Sequence, residues 1–269
     1  MFLEFRRPRG MRGRSKQSGF TLVELSVVLA VIGLIIGAMA IGKDVQRNAE
    51  YTKIKNKFID QWEQAYNQHY QRTGVVVGDS QTAPRLMVNG TAYEADADAP
   101  LSGGNMADVA TLPPRVCDKA EGVGMLGRGT AVVDLRDQML RAGVRLPPGR
   151  AEGYEDRYVY LDTNGNPQEV QVCFQWNKPS SADNSGNVMI ISGLTPDLAR
   201  YLDQMVDGKP DAREGRFRQQ DVGNGDANEP GVEWAGDNTH DYHADVTTAG
   251  RKFDEDQVKT VVAIYKMNQ

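Results

Sequence analysis

The sequence has few of the residues and motifs on which enzymes and metalloproteins depend. Its 269 residues include only 3 histidines and 2 cysteines. Cys117 and Cys173 have no CxxC spacing and no histidine close by, so we do not expect a zinc site. No HExxH motif, phosphate-binding loop or Gly-x-Ser-x-Gly elbow occurs. We therefore expect that the protein is not an enzyme.

Basic charge is scarce outside the first residues of the chain. The net charge is -5, yet residues 1–19 alone carry +5 and residues 73–269 carry -11. Binding to nucleic-acid phosphates needs clustered Lys and Arg side chains. We therefore expect no nucleic-acid partner.

A long hydrophobic run covers residues 20–42, and Glu24 is its only ionisable side chain. As a helix this run is about 35 Å long, which is enough to cross the hydrocarbon core of a membrane. Basic residues precede the run, so its N-terminal side is expected to stay in the cytoplasm. The remainder of the chain would then lie on the other side of the membrane.

The run is not followed by the small-residue cleavage site of a secretory signal, because Lys43 begins a charged segment instead. A small residue, Gly19, stands before the run. Cleavage after Gly19 would remove the basic leader, keep the membrane helix and leave a free amino group on Phe20. Glu24 could pair with that amine in its own or a neighbouring subunit, or lie at headgroup depth without a specific partner.

The stretch GFTLVELSVVLAVIG, residues 19–33, resembles the prepilin signal of type IV pilins and type II secretion pseudopilins. The resemblance rests on Gly19, on Phe20 with the Thr-Leu pair after it, and on Glu24 as fifth residue of the processed chain. It implies that a prepilin peptidase cuts after Gly19 and methylates Phe20. It also implies that Glu24 is needed for filament assembly. A membrane-anchored protein of another class is the alternative.

Residues 43–72 predict an amphipathic helix that continues the membrane helix without a Pro or Gly. Gly74 is expected to end it. The predicted inward positions recur every three to five residues: Val45, Ala49, Ile54, Phe58, Trp62, Ala65 and His69. Ile59, Tyr66 and Tyr70 widen this stripe.

Residues 73–269 predict a head in which alternating patterns mark four strands. Residues 156–162 and 169–176 form a hairpin around Asn164-Gly165, and residues 186–193 and 258–266 add two more strands. We expect an antiparallel sheet packed on the C-terminal half of the long helix, which is an α+β, pilin-like fold. The predicted parts are a leader (1–19), a membrane and assembly helix (20–42), its amphipathic continuation (43–72) and the head (73–269).

Two shorter helices are predicted within the head. The first lies within residues 129–144, with Val133, Leu140 and, as a further candidate, Leu135 facing inward. The second begins at a Thr195 cap and ends at Gly208. Its predicted inward residues are Leu198, Leu202 and Met205.

The two cysteines allow two interpretations. If the head is exported, Cys117 and Cys173 are expected to form a disulfide. The alternative is a pair of buried free thiols.

An acidic loop, residues 221–250, contains the candidate metal ligands: oxygen ligands for calcium and, as the less favoured alternative, His240 and His243 for a transition metal. Calcium could bind oxygen atoms of Asp226, Asn228, Asp237, Asp241 and Asp245. Some pseudopilins bind calcium in a C-terminal loop, so the resemblance adds support. Pro230 breaks the EF-hand spacing, and a solvated acidic loop is the alternative. No other cofactor is expected.

The resemblance implies a structural subunit of a type IV pilus or a type II secretion-like pseudopilus. Its length after cleavage, 250 residues, is large for a major pilin and favours a minor subunit. The expected partners are prepilin peptidase, other pilin or pseudopilin subunits and the bacterial inner membrane. The chain would cross that membrane once, with its head in the periplasm, before it enters a filament. The alternative is a filament-borne adhesin or binding module whose acidic loop contacts a surface or a secreted partner.

Overall fold

A computed structural model describes residues 19–93, 109, 111–119, 133–179, 184–223, 231–235 and 259–267. The chain divides into two units, Met1–Asn48 and Ala49–Gln269.

The described part of the first unit is an apolar helix and the three residues before it. Helix α1 spans Leu22–Ile54, and residues 19–21 precede it outside any helix or strand. The helical run Leu22–Thr73 contains a segment that is long and apolar enough to cross a membrane. The helix expected from residues 20–42 is therefore present.

Within the second unit, α1 is followed by a π-helical turn and a further α-helix. This π turn spans Lys55–Ile59 and is followed by α2, Asp60–Thr73. Lys55 Nζ bonds Asp60 Oδ1 at 2.8 Å, five residues further on. Gly74 ends α2 in a left-handed conformation, with φ 76°, and its N–H donates to the Tyr70 carbonyl, as expected from the sequence.

The buried stripe of this helical run differs in part from the predicted one. Val45 and Ala49 are exposed, which corrects the sequence-based prediction. The core of the second unit begins at Tyr51 instead. The π turn contains one residue more than an α-helical turn, so it rotates the buried face and brings both Phe58 and Ile59 into the core.

The described part of the second unit contains seven strands: β1 Val116–Cys117, β2 Val133–Asp134, β3 Arg157–Leu161, β4 Pro167–Asn177, β5 Gly186–Leu194, β6 Phe217–Gln219 and β7 Val261–Lys266. They form one central sheet with the strand order β2-β1-β4-β5-β7-β6, and β3 also pairs with β4. Among the described strands only β1 and β2 pair in parallel. Two described helices connect strands: α3, Leu135–Arg141, and α4, Pro196–Asp207.

The core lies between α2 and one face of the sheet. Tyr66 stacks on Phe174 of β4 with ring centroids 5.0 Å apart, and Phe58 packs on Tyr158 of β3 at 5.5 Å. Trp62 donates its indole N–H to the Glu155 carbonyl at 3.2 Å. These contacts confirm the predicted α+β arrangement of a helix on a largely antiparallel sheet.

The inward faces of the two shorter helices differ from the predicted ones. In α3, Leu135 and Met139 are buried and Leu140 is exposed, because a side chain five residues after Leu135 points away from its face. In α4, Asp203 is buried and Met205 is exposed. The predicted Thr195 cap and Gly208 end of α4 are confirmed.

Candidate functional site

The start of α1 is a capping box formed by Thr21 and Glu24. The Thr21 backbone N–H and hydroxyl both donate to Glu24 Oε2, at 2.8 and 2.9 Å. The Glu24 backbone N–H donates to Thr21 Oγ1 at 3.2 Å. This reciprocal pair satisfies two backbone N–H groups that a helix start otherwise leaves unpaired. The carboxylate inside the apolar run therefore has a local role.

The same carboxylate is available to a second partner. Both side-chain hydrogen bonds end on Oε2, so Oε1 takes part in neither, and Glu24 is exposed. The partial positive charge at the start of a helix favours an anion at this position. The geometry thus presents a carboxylate at a fixed place, one turn into the helix, where an ammonium group can reach it.

The predicted cleavage position lies just before this box. Gly19 and Phe20 are outside the helix, and Phe20 is 92% exposed. Within the described part of the chain, a Cβ added to Gly19 would meet no atom within 4 Å. Packing therefore does not require glycine at position 19.

Only one other polar side chain, Ser26, lies between Leu22 and Gly42. Its hydroxyl donates to the Val23 carbonyl at 2.8 Å. A polar group with an internal partner can enter lipid at low cost. Glu24 is thus the single residue of the run that calls for a charged partner.

Cys117 and Cys173 form a disulfide and are not a pair of free thiols, which was the alternative from the sequence. They stand opposite each other on β1 and β4, with Cα atoms 4.6 Å apart, and both are buried. The bond joins two residues that are 56 positions apart in the sequence. It therefore fastens the two-residue strand β1, which lies between β2 and β4, to β4.

The calcium candidates Asp226, Asn228, Asp237, Asp241 and Asp245 all lie outside the described residues. Among the residues that are described, no group of three or more His, Cys, Asp or Glu side chains could hold a metal. Calcium binding stays a prediction.

The structure also reveals a buried carboxyl group that the sequence analysis missed. Asp203 of α4 is fully buried, and its Oδ2 accepts a 2.8 Å hydrogen bond from the indole N–H of Trp234. Burial, reinforced by the nearby charge of Asp207, raises the pKa of Asp203 to about 7. The available signal was an acid between apolar residues of an amphipathic helix. Its partner, 31 residues later, could not be identified from the sequence.

Comparison with protein families gave a match to the prokaryotic N-terminal methylation motif over residues 14–40. The matched segment includes the predicted cleavage position, the capping box and most of the apolar run, and it covers about a tenth of the chain. The resemblance inferred from residues 19–33 is thereby confirmed. Neither the curated proteins nor the solved structures gave a match.

Proposed function

We propose, on the premise that the chain carries a prokaryotic N-terminal methylation motif, that it is a type IV pilin-like subunit that assembles into a filament through its N-terminal helix. The match over residues 14–40 carries this proposal. The geometry of the same segment supports it, because the Gly19–Phe20 bond lies outside the helix and Glu24 lies one turn inside it. The role is structural and needs no catalysis and no cofactor.

Processing would expose a new positive charge next to the capping box. A prepilin peptidase would hydrolyse the Gly19–Phe20 peptide bond, with water supplying a carboxylate to Gly19 and an ammonium group to Phe20. Methylation of that nitrogen leaves it basic and able to carry a proton. The basic leader is lost and the apolar helix stays on the mature protein.

Assembly would then use attraction between this ammonium group and Glu24. A lone charge in lipid is costly, and an ion pair in a low-dielectric medium is correspondingly strong. The capping box holds the Glu24 carboxylate at a fixed height on the helix. An ammonium group from a neighbouring subunit would therefore align the two helices at one axial offset. Apolar side chains of α1 would supply the remaining contacts.

The same reasoning places the second unit outside the cytoplasm. The basic residues before Gly19 favour a cytoplasmic leader, so the chain beyond the apolar run would emerge in the periplasm. The Cys117–Cys173 disulfide supports this placement, because such bonds persist in oxidising compartments. The length of the whole processed chain, 250 residues, supports a role as a minor subunit. Counting its copies in sheared filaments tests that point.

Substitution of Glu24 tests the assembly proposal. We expect Glu24→Val to leave cleavage and methylation intact and to abolish recovery of the protein in sheared filaments. Ser26→Ala is the matched control, since the Ser26 hydroxyl is bonded within its own helix. Filaments that contain normal amounts of the Glu24→Val protein would rule out the proposed ion pair.

A further inference from the structure

Residues 231–235 form a short segment, the 231–235 strap, that is held against the sheet edge next to β6. The Ala212 N–H donates to the Val232 carbonyl at 2.9 Å, and the Val232 N–H donates to Asp211 Oδ1 at 3.1 Å. The Gln219 side-chain amide bonds both the carbonyl and the N–H of Ala235, at 2.9 and 3.3 Å. The strap is thus hydrogen-bonded both to the residues before β6 and to the last residue of β6.

The strap has one deeply buried side chain, Trp234. It is 1% exposed, and its ring lies 5.4 Å from that of Phe217. Its indole N–H meets Asp203 Oδ2, and Asp203 itself is 0% exposed. The second oxygen, Asp203 Oδ1, has no hydrogen-bond partner among the described residues. An ionised carboxylate is poorly stabilised in so deeply buried a place, whereas a carboxylic acid is neutral there.

The charged groups around Asp203 also favour its protonated form. Asp207, one turn further along α4, is a second acid beside it and is held by the backbone N–H groups of Arg216 and Phe217 at 2.9 and 2.8 Å. A hydrogen bond from the Asp211 backbone N–H acts in the opposite direction and lowers the pKa of Asp203. Glu233, the acid on the strap, is exposed.

Cations on the elements packed around Asp203 are engaged elsewhere. Arg213 and Arg218 donate to the carbonyls of Val222 and Gly215. Three further cations are paired with acids: Arg200 with Asp197, Lys209 with Asp211 and Glu214, and Arg216 with Glu63. No cation in the described part of the chain pairs with Asp203.

We propose that Asp203 is a pH-sensitive anchor for the 231–235 strap: the strap is bound most firmly while Asp203 is protonated and loosens when Asp203 loses its proton. This device is independent of the filament role proposed above. It would let the pH of the surrounding compartment control how tightly this segment is attached.

The direction and the pH range follow from the titration of Asp203. Burial raises its pKa to about 7 in the anchored state, from 3.8 for an exposed carboxyl group. The anchored state therefore binds the proton more tightly than the open state. Anchoring is strongest below about pH 4, weakens as the pH rises towards 7 and changes little above that value. Between pH 5 and pH 8 the opening equilibrium would increase by up to about a hundredfold.

Hydrogen–deuterium exchange of the full chain in detergent micelles tests this anchor. After correction for intrinsic exchange, the opening equilibrium that exposes the strap amides should be at least about tenfold larger at pH 8 than at pH 5. This is a fraction of the roughly hundredfold upper limit that proton linkage gives. The Asp203→Asn variant, which keeps an acceptor for Trp234 but cannot titrate, should lose this dependence. Asp197→Asn removes an exposed acid from the same helix and should behave as the wild type. Equal pH profiles for wild type and Asp203→Asn would overturn the proposal.

A second measurement needs no variant and covers the case in which Asp203→Asn does not fold. The carboxyl carbon of Asp203 can be titrated by NMR in the wild-type protein. A midpoint between about pH 6 and pH 8 is expected for a fully buried acid that has a second acid beside it. A midpoint below pH 5, in the range of exposed carboxyl groups, would overturn the anchor.

Discussion

Removal of the Cys117–Cys173 disulfide should lower the stability of the second unit by an amount that its loop length sets. The cross-link joins positions separated by 56 residues, so it restricts the unfolded chain strongly. The chain-entropy relation gives roughly 4 kcal/mol at 25 °C for a loop of this length. The double variant Cys117→Ala/Cys173→Ala should therefore melt roughly 10 °C below the wild type.

The loss should be concentrated at β1. This strand contributes two residues to the sheet and pairs with β4 only through Val116–Phe174 and Cys117–Cys173. Chemical denaturation followed by near-ultraviolet circular dichroism gives the free energy of unfolding. Hydrogen exchange at Val116 then reports whether β1 opens first.

Wild-type protein whose disulfide has been reduced is the control, because it lacks the bond but keeps both sulfur atoms. Its stability should fall by nearly the same amount as that of the double variant. An unfolding free energy of the double variant within about 1 kcal/mol of the wild-type value would refute the reasoning, since the loop-closure effect should be several times larger.

Two further predictions concern a glycine of the sheet, Gly193, and a buried acid, Asp156. Gly193 has φ 79°, and an added Cβ would lie 1.9 Å from the Glu169 carbonyl oxygen; Gly208 has φ 78° with open space around it. Gly193→Ala should therefore lower the free energy of unfolding by several kcal/mol and Gly208→Ala by about 1 kcal/mol, and equal losses in denaturation would contradict this. Burial raises the pKa of Asp156 to about 6, so the wild type should lose stability as the pH rises from 4 through 6. Between pH 5 and pH 8 the free energy of unfolding of the wild type should fall by an amount on the order of 1–2 kcal/mol, allowing for solvent screening, and Asp156→Asn should not show this fall. Denaturation at both pH values measures the fall, and an equal fall in the variant would rule out Asp156 as its source.

Periodic patterns identified the long helix and the four longer strands, because each extends over enough residues to repeat its pattern. Strands β1, β2 and β6 contain two or three residues, which is too few for alternation to be recognised. The π turn also has no sequence signal, since neither Pro nor Gly occurs in Lys55–Ile59. It is visible only through the positions that it buries.

The inward faces of the short helices depended on information that is not local. The phase of α3 is set by its start at Leu135, after the Asp134 side chain accepts the Asp137 N–H. In α4 the buried position belongs to Asp203 because Trp234 supplies a hydrogen-bond donor from another part of the chain. Tertiary contacts decide such cases.

The candidate processing and assembly residues came from a sequence motif, and the structure adds their local geometry. The spacing Thr21-x-x-Glu24 was a readable capping-box signal, but the apolar surroundings drew attention to the membrane instead. The structure shows that the carboxylate closes the helix start as well. The partner that Glu24 would meet in a filament belongs to another molecule and stays a prediction.

The most direct test of the central claim is mass spectrometry of the mature protein purified from cell membranes. We expect a chain that starts at Phe20, carries one methyl group on its terminal nitrogen and retains the whole apolar run. A chain with its leader still attached, or one cut after residue 42, would contradict it.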